Sequence, residues 1–182
     1  MNGNRMSIPN DETLKEVRWK DWQEIPDPQV KDAADQYDEA RRTLEAQGPG
    51  SGVLCPLFNS SIVAVELYLK SLSAKRVHQQ VPGSKWTKIH AEPEQSGHRL
   101  KDLLDAIPDE FRSRLELEFR EQCSAELGAI LSRYEGLFKQ SRYPYEETHD
   151  LAQYPLGPLM MLSAFLREFV AQMVPVQRIQ GT

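Results

Sequence analysis

The hydrophobic pattern of this chain is helical almost throughout. Phe58, Ile62, Val65, Leu69 and Leu72 recur at spacings of four, three, four and three, a continuous stripe on a helix of 3.6 residues per turn. Val63, Ala64 and Leu67 widen the stripe, which predicts a mid-bundle helix from about Pro56 to about Lys75. Phe111, Leu115, Phe119, Cys123, Leu127, Ile130, Tyr134 and Leu137 continue the same rhythm at four, four, four, four, three, four and three. That run predicts one long helix or two stacked ones, with Ser124 as the joint. Leu100, Leu103 and Leu104 mark a short helix over His98–Ala106. A last helix, about Gly157 to Met173, is expected to bury Leu159, Leu162, Phe165, Leu166, Phe169 and Met173.

Breaks in the pattern give the organisation. Residues 1–9 read as a disordered tail. Asn10 or Asp11 can cap a helix through about Glu24, with Leu14, Val17 and Trp22 buried, Trp19 and Trp22 as anchors, and Pro26 and Pro28 as its end. A second helix is expected from Pro28 to Gln47, with Val30, Ala34, Tyr37, Arg41 and Leu44 on one side. Together, residues 10–47 form an N-terminal helical extension, and GPGSG at 48–52 separates it from a bundle domain at 53–174. Residues 77–97 have no sustained period and are expected to form a long loop with a short hairpin turning at Pro82-Gly83. SRYPYEETHD, after the long helix, is irregular. No segment alternates with the period of a strand, so the fold class is all-α, an antiparallel helical bundle.

Composition narrows the function classes. A length of 182 residues suits one domain with a real core. A net charge of -5 disfavours indiscriminate binding to nucleic acid or a membrane surface. The charge is uneven, however. Lys70 to Lys101 holds seven Lys/Arg against two Glu, and Asp102 to Asp150 holds twelve Asp/Glu against six Lys/Arg. The two segments read either as a basic patch or as self-complementary surfaces. Cys55 and Cys123 lie far apart with no metal-ligand spacing, so reduced thiols, no metal and no cofactor are expected. Neither a secretory leader nor a membrane span is visible, and the expected location is cytoplasmic.

Four polar groups stand out against the apolar background. Glu66 and Lys70 lie four apart inside the greasiest helix, either as an ion pair on its solvent edge or as a polar notch in the core. His98 follows Gly97 at a helix start, where its ring either fixes the turn or faces a ligand. Arg142, with Tyr143 beside it and His149 seven positions on, closes the long helix. Its planar guanidinium suits phosphate, and an imidazole titrating near ~6.5 suits proton transfer. A structural alternative pairs Arg142 with Glu66 or Glu146. Trp86, flanked by Lys85 and Lys88, is either a base-stacking platform or a plug against the bundle.

The succession AVELYLKSL (64–72), GHRLKDLLDAIP (97–108) and SRYPYE (141–146) resembles bacterial HEPN-domain proteins over residues 54–172. The resemblance implies an antiparallel HEPN-like bundle and a homodimer. It also implies a role on RNA or nucleotides, as a metal-independent endoribonuclease of a defence or toxin–antitoxin system or as a non-catalytic binding module. In the first case Arg142 and His149 occupy the family's R-x4–6-H motif, as phosphate ligand and general acid/base. In the second, Glu66, Lys70, His98 and Arg142 form a structural network. An antitoxin or nucleotidyltransferase is the implied partner, with Tyr143 or Tyr145 as a modifiable hydroxyl.

Overall fold

The computed structural model describes residues 22–80, 83, 85–95, 97–143 and 150–179. Among these the chain is mostly helical, with four short strands. Helix α1 (Pro28–Glu45) begins on Asp27, whose carboxylate accepts from the backbone N–H groups of Gln29 and Val30, with a proline in the first turn. Beyond its end, Gly48, Gly50 and Gly52 adopt φ of 76°, 84° and 79°, a conformation that costs only glycine nothing. Helix α2 (Leu54–Ser71) is the centre of the bundle. It packs against α1, α3 (Leu100–Asp105), α6 (Leu137–Arg142) and α7 (Leu156–Gln172). Being surrounded, it buries the expected stripe and also Ser60, Ser61 and Glu66. The Ser61 and Ser71 hydroxyls are satisfied by donating to Leu57 O and Tyr68 O, both at 2.7 Å.

The long downstream register is divided between three helices, α4 (Asp109–Cys123), α5 (Leu127–Arg133) and α6. Ser124 is the expected joint and sits at φ 51°. The second break, at residues 134–136, was not expected from the spacing. Leu115, Phe119, Leu127, Tyr134 and Leu137 are nonetheless buried, while Phe111, Cys123 and Ile130 are half-buried and Leu131 takes the inward place expected of Ile130. The residues expected for α3 and α7 are buried as well, with Phe165 edge-on to Phe119 at 5.0 Å.

Strands correct the expectation of a chain without any. β1 (Trp22–Ile25) pairs antiparallel with β4 (Val176–Ile179), and β2 (Lys75–Gln80) pairs antiparallel with β3 (Thr87–Glu92). The N-terminal helix expected to reach Glu24 is therefore replaced there by a strand. Residues 1–21, including Leu14, Val17 and Trp19, lie outside the described residues. Most of the expected 77–97 loop is the β2–β3 hairpin, with Gly83 at φ 74° in its connection. Its two strands carry only Val77 and Ile89 as large aliphatic side chains, too few for an apolar alternation to show in sequence. The central helix stops at Ser71 rather than Lys75, because the chain turns there into β2.

The face of α1 is the expected one at Ala34 and Arg41 but not at Tyr37, and Asp38 joins it. Ala34, Asp38 and Arg41 are buried, while Tyr37 is 40% exposed. Arg41 Nε donates to Asp38 Oδ1 at 2.7 Å, and Ser163 Oγ of α7 donates to the same oxygen at 3.0 Å. The helix thus turns an ion pair inward, where the spacing alone suggested a tyrosine. Tyr68 of α2 donates its hydroxyl to Asp35 Oδ1 at 2.8 Å. Asp27 ties three elements together. Its backbone N–H donates to Ser71 O at 2.8 Å, its carboxylate caps α1, and Arg76 at the base of the hairpin lies 3.2 Å from Oδ2. Among the described residues, no helix is long and apolar enough to cross a membrane.

Candidate functional site

Glu66 and Lys70 share a face of α2 through their i,i+4 spacing, and Lys70 Nζ lies 2.6 Å from Glu66 Oε1. The Glu66 side chain is 6% exposed, so this is the polar notch rather than a solvent-edge pair. A carboxylate so far from water needs further donors. His98 supplies one from the segment before α3, where Gly97 at φ 109° turns the chain. His98 Nδ1 lies 3.0 and 2.9 Å from the two Glu66 oxygens.

The other side of the site comes from α6. Phe138 stacks on the His98 ring, with centroids 3.9 Å apart and planes 13° from parallel. One turn later, the Arg142 guanidinium carbon lies 4.6 Å from the Phe138 ring centroid. The result is a continuous chain of contacts, Lys70–Glu66–His98–Phe138–Arg142, drawn from three separate segments. Arg142 is exposed and has no carboxylate partner among the described residues. The His98 side chain is 54% exposed, and its Nε2 likewise has no hydrogen-bond partner among them.

Next to Arg142 is a depression of about 440 Å³ lined by Cys55, Pro56, Asn59, Ser141 and Arg142. It opens at the start of α2, which has no side-chain cap and no acid in its first turn, so the positive end of the helix dipole is uncompensated there. Asn59 Oδ1 is buried with no hydrogen-bond partner among the described residues. An exposed guanidinium, a helix N-terminus and an amide make a surface suited to an anion with an attached polar group.

The wall is held rigidly. The Glu135 carboxylate accepts the Lys101 backbone N–H at 2.8 Å, joining the first turn of α3 to the break between α5 and α6. Tyr134 donates its hydroxyl to Pro155 O at 2.6 Å, and Gln140 Nε2 donates to Tyr154 Oη at 2.9 Å. Burial pushes both phenols above their ordinary titration range. Gly136 is needed here for close approach, since a Cβ would lie 2.8 Å from Tyr154 Oη.

A second depression, about 430 Å³, is lined by Lys31, Asp35, Glu39, Arg42, Arg167, Glu168 and Ala171. Its cations are already engaged, Lys31 with Asp35, Arg42 with Glu39 and Arg167 with Glu168. It therefore presents little uncompensated charge to a ligand.

Of the residues singled out in the sequence, Glu66, Lys70 and His98 come together directly, and Arg142 joins them through Phe138 rather than by pairing with Glu66. Tyr143 is 42% exposed just past α6. Trp86 is 79% exposed just before β3, so it does not plug against the bundle. His149 lies outside the described residues. Phe138 and Asn59 were not anticipated. Phe138 stands off the apolar stripe and four positions before Arg142, a signal readable only once α6 is known to be a separate helix. Among the described residues, no group of three His, Cys, Asp or Glu side chains is placed to hold a metal. No family model, curated protein or solved structure matches this chain.

Proposed function

We propose that this chain is a HEPN-like helical module that binds RNA or a nucleotide, with the phosphate held by Arg142 at the depression between the start of α2 and the end of α6. One observation carries the reading: each of the three sequence segments that resemble HEPN proteins contributes to the same chain of contacts. AVELYLKSL brings Glu66 and Lys70, GHRLKDLLDAIP brings His98, and SRYPYE brings Arg142, joined to the others through Phe138. Arg142 and His98 Nε2 face outward, while Glu66 fixes the geometry from behind. A planar guanidinium binds phosphate oxygens in pairs and keeps its charge at any physiological pH.

The catalytic form of this reading is metal-independent RNA cleavage, with Arg142 as phosphate ligand and His149 as general acid/base. The second reading is a non-catalytic binding or scaffold module, and the saturation of Glu66 favours it. That carboxylate accepts from Lys70 and His98, which suits a fixed structural node. The homodimer and the antitoxin or nucleotidyltransferase partner belong to the same proposal.

The test is RNA binding by fluorescence anisotropy, alongside RNA cleavage, for the wild type, Arg142→Ala and His149→Ala. The module reading expects Arg142→Ala to weaken binding about tenfold or more, the effect of losing a hydrogen bond to a charged group. Cleavage abolished in both variants selects the nuclease form. Binding without cleavage in the wild type selects the scaffold form, and unchanged binding by Arg142→Ala removes the assignment.

A further inference from the structure

The hairpin between the two halves of the cluster is unused by that reading. It leaves the bundle just after Lys70 and returns just before His98, so it is an insertion rooted at the site. Its base is fixed to the body. Arg76 reaches Glu24 at 2.9 Å and Asp27 at 3.2 Å, and Lys75 pairs with Glu94 at 2.6 Å. Base included, the six-residue strands extend about 20 Å.

The far end has the wrong surface for simple solvation. Trp86 is 79% exposed and Ile89 is 45% exposed, with Lys85 and Lys88 exposed beside them. From Lys75 to Glu92 there are four Lys/Arg against one Glu, in a chain whose net charge is -5. An exposed indole flanked by lysines matches two chemistries in alternation along one polymer, flat apolar bases and anionic phosphates. Stacking on an aromatic face needs unpaired bases, so a duplex does not satisfy it.

We infer that the β2–β3 hairpin is a stacking arm for single-stranded nucleic acid, with Trp86 as the platform and Lys85 and Lys88 as phosphate contacts. The ligand of the neighbouring cleft is then a strand, not a free nucleotide. That second statement rests on the phosphate reading of Arg142, whereas the arm rests on its own surface.

The experiment measures anisotropy of a labelled single-stranded RNA of about ten nucleotides, a length in the usual range for such sites, and of the same sequence as a duplex. The full chain is compared with Trp86→Ala, Trp86→Phe, Lys85→Ala/Lys88→Ala and Arg142→Ala. The arm predicts preference for the single strand and a loss of about tenfold or more with Trp86→Ala. It also predicts near-wild-type affinity with Trp86→Phe, and a shallower salt dependence with the lysine pair removed. Equal affinity of Trp86→Ala and wild type overturns the arm, and a loss confined to Arg142→Ala then leaves the cleft standing. A loss with Trp86→Ala but none with Arg142→Ala keeps the arm and removes the cleft. If Trp86→Ala changes the oligomeric state while RNA affinity is unchanged, the arm is a protein contact and the inference is wrong.

Discussion

His98 Nδ1 lies 2.9 Å from Glu66 Oε2, and the two residues are 32 positions apart in sequence. This contact closes the excursion that contains the hairpin and gives the buried carboxylate a donor besides Lys70. Glu66→Gln keeps the shape but removes the charge that both partners face. It should cost about 1.5–3 kcal/mol, the range for hydrogen bonds to charged groups. Urea unfolding measures it, and unchanged stability contradicts a network with Glu66 at its centre.

The pair Asp38–Arg41 is more deeply buried, with Asp38 side-chain exposure at 1% and Arg41 at 5%. Asp38→Ala leaves the Arg41 guanidinium inside the bundle with only the half-exposed Glu45, 2.9 Å away, and should cost about 3 kcal/mol, the low end for a broken buried pair. Ser163→Ala, which removes one hydroxyl from the same carboxylate, should cost about 1 kcal/mol. Chemical denaturation of the two variants checks both the size and the order.

Gly136 and Gly157 offer a contrast within one experiment. A Cβ at Gly136 meets Tyr154 Oη at 2.8 Å, and that ring is buried, so Gly136→Ala should cost about 1–3 kcal/mol. A Cβ at Gly157 meets nothing within 4 Å. Gly157→Ala should change stability by less than about 1 kcal/mol, since restricting the unfolded chain is offset by crowding of the new Cβ against Pro158. The thermal midpoint of Gly136→Ala should fall clearly further than that of Gly157→Ala.

Alkaline pH should weaken the fold through its buried phenols. Burial, and after it the hydrogen bond to Asp35, pushes Tyr68 well above the ordinary value near 10. Below that ordinary value both states hold the proton, and this group gives no pH dependence. Above it the unfolded chain loses the proton while the folded chain keeps it, so stability falls as pH rises, by about 1.4 kcal/mol per pH unit for each such phenol. Tyr134 and Tyr154, raised by burial, act in the same direction. Tyr68→Phe should flatten the decline between about pH 10 and pH 11.5, as read from urea midpoints.

The core was legible where one helical face stays apolar. Phe58, Ile62, Val65 and Leu69 form the centre of α2, and the rhythm from Leu115 to Leu137 kept most of its positions buried through two breaks. The strands were hidden because β2 and β3 are polar on both sides and β1 and β4 are four residues each. In α1 Arg41 was on the expected face, but Asp38 was missed and Tyr37 wrongly included, because no periodicity reports that a buried arginine carries its anion inward with it. In the site, Glu66 and Lys70 were readable from i,i+4 spacing, and His98 from its place after Gly97. What joined them to Arg142 was Phe138, and ring stacking between distant segments leaves no trace in sequence.

The central claim is that Arg142 borders a phosphate-binding depression and that Phe138 and His98 stack behind it. The most direct measurement is a titration of the isotope-labelled protein with a short single-stranded RNA, following backbone amide resonances. The account predicts that the amides of His98, Phe138 and Arg142 shift together and saturate at one RNA concentration, and that Arg142→Ala abolishes the response. Shifts confined to the Lys31–Arg167 groove, or none at these three residues, contradict it.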